Sequence, residues 1–123
     1  MRVVGLGLRS AATPASLEDL IERLQIAPDL PLAVPAFRRS HPAVLDLQRR
    51  GRRIIPLADT ALSGVSTPTR SPRILARHGT GSIAEACAIV AAGPGARIIV
   101  PRVVSADGCA TAALARSDES PCP

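Results

Sequence analysis

Segments with the pattern of β-strands alternate with segments of helical periodicity along this chain. Residues 2–8 alternate in side-chain size as a strand does, and Leu17, Leu20, Ile21 and Leu24 recur on one face of a helix. Further strands are predicted at 32–34, 53–57, 96–101 and 110–115, and further helices at 40–51, 71–76 and 83–92, with a loop over 59–70 that has at most one helical turn. Such alternation places helices on both faces of a mainly parallel sheet. We therefore expect an α/β fold, a three-layer α/β/α sandwich with a mixed, mostly parallel sheet of about five strands.

Side chains that cap helices mark where several of these helices begin. Ser82 and Glu85 form the Ser-x-x-Glu pattern of a capping box, which is the strongest helix-start signal in the chain. Ser16 and Asp19 make a similar pair, and Ser40 is the predicted cap of the second helix. The helix after Ser82 is apolar almost all round, so we expect it to be deeply packed.

The length of the chain, 123 residues, suits one domain, predicted over residues 1–116, with a disordered tail over 117–123. Apolar residues make up 46% of the chain, and Phe37 is the only Phe, Tyr or Trp, so the core has to be aliphatic. The pair Asp107-Gly108 is typical of a hairpin turn, which makes the last two strands antiparallel neighbours.

Three cysteines are widely spaced, with no Cys-x-x-Cys or Cys-x-x-His pattern. This spacing argues against a zinc site, and the sequence predicts no metal and no cofactor. Cys87 and Cys109 are predicted to be small buried apolar residues, and Cys122 to lie exposed in the tail.

The basic residues other than histidine are all arginine, and the net charge is +5. Basic chains often bind nucleic acid, but stacking aromatics are nearly absent and the arginines are scattered except at 49–53. We expect no nucleic-acid partner; salt-sensitive binding to DNA or RNA would indicate otherwise. No apolar run approaches the ~20 residues of a membrane helix, and the amino terminus lacks a secretory pattern, so we expect no membrane partner and a cytoplasmic location.

Gly5, Gly7 and Arg9 stand at the end of the first strand, where ligands of open α/β sheets bind. Glycine lets a ligand approach the backbone, but it equally relieves close packing between a helix and the sheet. A dinucleotide fingerprint is not favoured, because Ser10 occupies the place of its third glycine.

A glycine loop precedes the capped helix, with the sequence His78-Gly79-Thr80-Gly81-Ser82. Exposed amides at a helix amino terminus attract anions, which makes this loop a candidate site for a carboxylate or phosphate. The alternative is a helix cap without a ligand. Glu85 is either the capping partner of Ser82 or a general base, and His78 is the second catalytic candidate.

Arg38 and Ser71 are candidates that depend on the tertiary fold. Alone, Arg38 is typical of a solvated surface and Ser71 of a helix cap. Both gain weight as ligand-binding residues if folding brings them to the same rim as Gly7 and Gly81.

Several of these segments resemble the carboxy-terminal family of CobE and CbiG proteins. The resembling segments are Val4-Gly5-Leu6-Gly7-Leu8-Arg9, the stretch from Ser71 to Ala92 with Gly79-Thr80-Gly81-Ser82-Ile83-Ala84-Glu85-Ala86, and Ala96–Arg102 followed by a last strand that Thr111 opens. The resemblance spans residues 2–116. Arg38 stands near the place where the family has a lysine after its second strand.

This resemblance implies an α/β/α fold and a place in building the corrin ring of cobalamin (vitamin B12). It favours binding or carrying a precorrin, a tetrapyrrole intermediate of that pathway, with other enzymes of the pathway as candidate partners. It leaves open an enzyme such as a lactone hydrolase, in which Glu85 or His78 steers water and Arg9 stabilises the oxyanion. The expected ligand-binding residues are Gly5, Gly7, Arg9, Arg38, Ser71, Gly79, Thr80, Gly81, Ser82 and Thr111.

Overall fold

A computed structural model describes residues 1–117 and contains a five-stranded sheet flanked by helices. The strands are β1 (Arg2–Leu8), β2 (Leu32–Pro35), β3 (Ile54–Leu57), β4 (Ala96–Val104) and β5 (Ala110–Ser117). The helices are α1 (Pro14–Leu24), α2 (Pro42–Arg49), α3 (Asp59–Leu62), α4 (Pro72–His78) and α5 (Ile83–Ala92), with a 3-10 turn at Ala36–Arg38. The predicted α/β fold with a mixed sheet is confirmed.

The strand order is β3-β2-β1-β5-β4. β1 pairs in parallel with β2 and β2 with β3, whereas β5 is antiparallel to both β1 and β4. Four strands therefore run in one direction, and β5, inserted between β1 and β4, runs against them. The predicted antiparallel pairing of the last two strands is confirmed.

Alternation along β1 divides the core into two layers. Val4 and Leu6 point to one face of the sheet, where they pack with apolar residues of α1 and α2. Val3 faces the other side, where Ala86 and Cys87 of α5 cover the sheet. Strand side chains alternate between faces, so one short strand supplies both layers. None of the helices within residues 1–117 is long and apolar enough to cross a membrane.

Two helices begin one or more residues away from their predicted caps. Thr13, not Ser16, caps α1, and His41, not Ser40, caps α2. In both helices a proline occupies the first turn, where its missing N–H costs nothing. The residue before a proline avoids helical geometry, so the capping position falls on that residue. Ser16 still takes part in the capping box of α1, because it and Thr13 exchange hydrogen bonds.

The end of the chain differs from prediction at two further residues. Ser117, assigned to the tail, is the last residue of β5 and donates a hydrogen bond from Oγ to the carbonyl of Pro94 (3.0 Å). Cys109, predicted to be buried, is half-buried, because it follows the turn at Gly108 instead of lying inside the strand. Cys87 is buried as predicted. Residues 118–123, including Cys122, lie outside the described residues.

Asp107 organises the turn between β4 and β5. One carboxylate oxygen accepts hydrogen bonds from Ser105 Oγ (2.6 Å) and from the Cys109 N–H (3.0 Å), and the other accepts one from Ser16 Oγ of α1 (2.5 Å). These bonds stabilise the charged form and lower the pKa of Asp107 from 3.8 to about 2.

Asp107→Asn is expected to remove a pH-dependent part of the stability. Because folding lowers this pKa, the stabilisation is complete above about pH 4 and disappears as the pH falls toward about 2. In urea unfolding, the free energy of unfolding of the variant should be lower than that of wild type at pH 7, and this difference should become smaller as the pH falls toward about 2. Asp29→Asn, an exposed change between α1 and β2, is the control. A gap independent of pH would contradict the role assigned to this carboxylate.

Candidate ligand-binding cleft

A cleft of about 630 Å³ opens at the carboxyl ends of β1 and β2. Its walls come from five places: the residues after β1, the turn after β2, helix α4, the end of β4 with the hairpin that joins it to β5, and the amino terminus of α5. The amino terminus of α5 contributes Ser82 and Ile83. The carboxyl edge of parallel strands is the usual ligand site in open α/β sheets.

Arginines dominate the charge of this cleft. Five of them line it, from the loop after β1, the 3-10 turn, α4 and β4: Arg9, Arg38, Arg73, Arg77 and Arg102. None of the described residues that line the cleft is acidic, and no salt bridge found within residues 1–117 involves these five side chains. The cleft therefore presents guanidinium groups without acidic partners in the part of the chain that the structure describes, and such groups form bidentate hydrogen bonds with carboxylates and phosphates.

The arginine after β2 is anchored to the first strand. Arg38 Nε donates to the carbonyl of Leu8 (3.0 Å), which leaves its terminal amino groups for a ligand. Nearby, His41 caps α2 through Nδ1, which accepts from the Ala43 N–H (3.1 Å). Nε2 of the neutral ring then carries the proton and donates to the Ser10 carbonyl (3.0 Å). His41 thus joins the loop after β1 to α2 and has a structural role.

The amino terminus of α5 adds a positive partial charge to the cleft. The helix is ten residues long, and the Oγ of its capping residue, Ser82, accepts from the Glu85 N–H (3.3 Å). The cap uses one of the free amides of the first turn, and the aligned peptide dipoles favour an anion at this end. This helix terminus and the arginines therefore attract the same kind of ligand.

The structure brings together seven of the residues singled out from the sequence. Those that line the cleft are Gly7, Arg9, Arg38, Ser71, His78, Ser82 and Thr111. Thr111 Oγ1 donates to the Gly7 carbonyl (3.4 Å), which joins β5 to β1 at the floor of the cleft. Ser71 is the cap of α4, where its Oγ accepts from the Ile74 N–H (3.4 Å).

The remaining candidates lie outside the cleft lining. A Cβ on Gly5 would lie 1.9 Å from the Ala84 carbonyl oxygen, so Gly5 allows α5 to pack against β1. Gly79, Thr80 and Gly81 of the glycine loop contact the segment from Ser63 to Arg70. Thr80 Oγ1 donates to the Val65 carbonyl (2.8 Å), and a Cβ on Gly79 or Gly81 would meet Ser63 or Thr69.

Glu85 is fully buried and acts as a tie between three segments. Its carboxylate accepts hydrogen bonds from the Thr69 N–H (2.8 Å), from Thr69 Oγ1 (2.9 Å) and from the Arg102 N–H (2.9 Å). The charge is thus satisfied by donors, as a buried carboxylate requires. Glu85 therefore joins the loop before α4, and also β4, to α5. Helix α4 and strand β4 carry three of the cleft arginines.

Sequence reasoning missed Phe37, Arg73, Arg77, Arg102 and Cys109, which also line the cleft. Arg73 and Arg77 are four residues apart on one helix, a spacing that places them on one face and that the sequence displays. Phe37 stacks on His78, with ring centroids 5.5 Å apart and planes 3° from parallel. Arg102 carries no local signal, because its place in the cleft depends on the pairing of β4 with β5.

Two further groups of residues do not contribute to this cleft. Burial raises the pKa of the Cys87 thiol to about 12, so Cys87 is a core residue and not a nucleophile. In the arginine run 49–53, Arg50 pairs with Glu18 and Asp46, and Arg52 donates to the Ala27 carbonyl (2.8 Å). Within residues 1–117, no group of three or more His, Cys, Asp or Glu side chains is placed to hold a metal ion.

Comparisons with known proteins identify the family of this fold. The family model described as "Cobalamin synthesis G C-terminus" matches residues 2–115. CobE, a protein from the cobalamin (vitamin B12) biosynthetic pathway, has a solved structure with a TM-score of 0.78 and 26% identity, covering 94% of this chain and 89% of CobE. The cobalamin biosynthesis protein chiG from Agrobacterium tumefaciens has a TM-score of 0.68 and 25% identity, covering 97% of this chain and all (100%) of chiG.

A third structure shares the fold alone. It is a cobalamin biosynthesis protein G homologue from Sulfolobus solfataricus, with 15% identity and a TM-score of 0.59, and the match covers 97% of this chain but 37% of that protein. A search of curated proteins gave no match. The family model spans nearly all of the described residues, and two solved proteins of cobalamin biosynthesis share the fold over almost their whole length. This chain therefore belongs to the cobalamin synthesis G C-terminus family.

Proposed function

We propose that this protein binds a precorrin or related corrinoid intermediate of cobalamin biosynthesis in the arginine-lined cleft. One observation carries the proposal: five arginines line the cleft, and no acidic residue among the described lining residues offsets them. Corrinoid intermediates are flat rings edged with acetate and propionate carboxylates. Guanidinium groups match these carboxylates in charge and in geometry.

Binding or carrying the intermediate is favoured over hydrolysis by the placement of the two catalytic candidates. Glu85 is buried, and both of its oxygens accept hydrogen bonds, so it is not placed to activate a water in the cleft. His78 does line the cleft, but it stacks on Phe37. A lactone hydrolase would need a base held within hydrogen-bond reach of the attacking water.

The test is a titration with hydrogenobyrinic acid, a metal-free corrin with free peripheral carboxylates. Binding is monitored by the change in the visible absorption spectrum. The same ring with its carboxylates converted to amides is the control ligand. We expect the acid to bind and the amide to bind much more weakly. Added salt should weaken the binding of the acid, because salt screens charges at an open site. Equal binding of the two ligands, or no spectral change with the acid, would overturn the proposal.

Arg73→Gln/Arg77→Gln is expected to weaken binding of hydrogenobyrinic acid by about 10- to 100-fold, because each arginine supplies a charge-assisted hydrogen bond. The control is Arg2→Gln/Arg53→Gln. It removes the same charge from exposed positions at the amino ends of β1 and β3, the opposite edge of the sheet. An equal loss in both double variants would show that net charge, and not the cleft, determines affinity.

A further inference from the structure

We propose that Phe37 is the surface on which the flat face of the macrocycle stacks, so that the cleft selects a conjugated ring over other polycarboxylates. This inference rests on the function proposed above. It adds to the charged contacts an aromatic one, which discriminates between ligands of the same charge.

Phe37 is the only Phe, Tyr or Trp of the chain, and it lies in the cleft instead of the core. The core clusters within residues 1–117 are built of aliphatic residues and cysteine. The Phe37 side chain is 50% exposed, and the 3-10 turn that carries it has no buried residue. The ring therefore leaves much of its apolar surface in water, and a ligand that covers this surface gains hydrophobic free energy.

Neighbouring side chains hold the Phe37 ring in one orientation. The His78 imidazole from the end of α4 lies parallel to it, with centroids 5.5 Å apart and planes 3° from parallel. The Arg38 guanidinium carbon lies 5.3 Å from the ring centroid, within the range of a cation–π contact. A ring that is already oriented loses less conformational entropy when a flat ligand stacks on it.

The cleft combines a half-exposed aromatic ring with several guanidinium groups. The Arg38 guanidinium lies over the Phe37 ring, and Arg77, which precedes His78 on α4, lines the same cleft. A ligand with a conjugated ring and peripheral carboxylates satisfies both features at once. A flexible polycarboxylate satisfies the arginines alone, which is why the aromatic contact gives selectivity.

The experiment compares Phe37→Leu, which removes the ring but keeps an apolar side chain, with Phe37→Trp, which keeps a ring. For hydrogenobyrinic acid we expect Phe37→Leu to bind about 10-fold more weakly and Phe37→Trp to bind within about 2-fold of wild type. Leu75→Ala, which truncates an exposed residue of α4 outside the cleft lining, should bind as wild type does. The natural chain has no tryptophan, so the fluorescence of Phe37→Trp reports on this position alone, and the bound corrin should quench it.

A second ligand separates stacking from a general effect on the cleft. An oligoglutamate peptide of matched charge should bind weakly and equally to wild type and Phe37→Leu. The stacking role is wrong if Phe37→Leu binds the corrin as tightly as wild type does, or if it lowers the affinity for both ligands equally. Corrin binding itself would still stand in either case. Unquenched fluorescence in corrin-bound Phe37→Trp would also overturn it. If wild type does not bind the corrin at all, the proposed function itself fails.

Discussion

Gly5→Ala is expected to destabilise the protein by about 3 kcal/mol or more, because the new methyl group collides with the backbone of α5. Its Cβ would lie 1.9 Å from the Ala84 carbonyl oxygen and 2.6 Å from the Ala88 nitrogen. Neither atom can move without shifting the helix, and α5 covers the centre of the sheet on its side. Thermal unfolding should show a melting temperature lower by more than about 10 °C.

Gly7→Ala is the matched control for this prediction. Its Cβ would lie 2.7 Å from Thr111 Oγ1, but the nearest backbone atom, the Ala84 nitrogen, is 3.6 Å away. A side-chain hydroxyl can rotate, so we expect a cost of about 1 kcal/mol that Thr111→Ala relieves in the double variant. A Gly5→Ala protein as stable as Gly7→Ala would contradict the close packing of α5 on β1.

Glu85→Ala is expected to cost about 3–5 kcal/mol, because it removes the acceptor of three hydrogen bonds inside the protein. The Thr69 N–H, the Thr69 hydroxyl and the Arg102 N–H all donate to this carboxylate. Without it, these donors either stay unsatisfied or pull away toward water, and the side-chain volume is left as a cavity. Urea unfolding at neutral pH measures the loss.

Glu85→Gln keeps the shape and one acceptor oxygen, and it separates the hydrogen bonds from the packing. That oxygen can accept from Thr69 Oγ1 and the Arg102 N–H, but the amide nitrogen then faces the Thr69 N–H, a donor against a donor. We expect a loss of about 1–3 kcal/mol, smaller than for alanine. Glu85→Gln as stable as wild type, together with Glu85→Ala as stable, would show that the buried carboxylate does not join these segments.

Loss of the hydrogen bonds to Glu85 should also affect ligand binding in the cleft. Thr69 leads into α4, which carries Arg73 and Arg77, and Arg102 lies on β4. These arginines can bind the same ligand at once only while α4 and β4 both stay fixed to α5. A folded Glu85→Gln protein is therefore expected to bind hydrogenobyrinic acid more weakly, even though Glu85 does not line the cleft.

Most helices and strands were predictable because their signals are local. The alternation of Val4 and Leu6 with Val3 and Gly5 identifies β1, and Ser82 with the apolar residues after it identifies α5. The errors at Thr13 and His41 concern the same kind of local signal. In those two helices the proline in the first turn places the cap at the residue before it, although a serine nearby also matches the capping pattern.

The candidate site was predictable only in part. Gly7, Arg9 and Ser82 were found because strand ends and helix amino termini are known places for ligands. Gly5 has the same local pattern as Gly7 and faces the same side of β1, but it lies against the middle of α5, outside the cleft lining. Nothing local distinguishes the two glycines, since the difference lies in which residue of α5 each one meets.

The sequence by itself determined the order of elements, the aliphatic core, the hairpin at Asp107-Gly108 and the family. These follow from periodicity, composition and motifs, which act over a few neighbouring residues. The tertiary structure alone decided that β5 lies between β1 and β4, and that five arginines from four separate parts of the chain line one cleft. It also placed Phe37 beside His78, 41 positions along the chain by their numbering, and gave Glu85 its partners at Thr69 and Arg102. These contacts join residues far apart in the chain, and strand pairing and helix packing, not local pattern, bring them together.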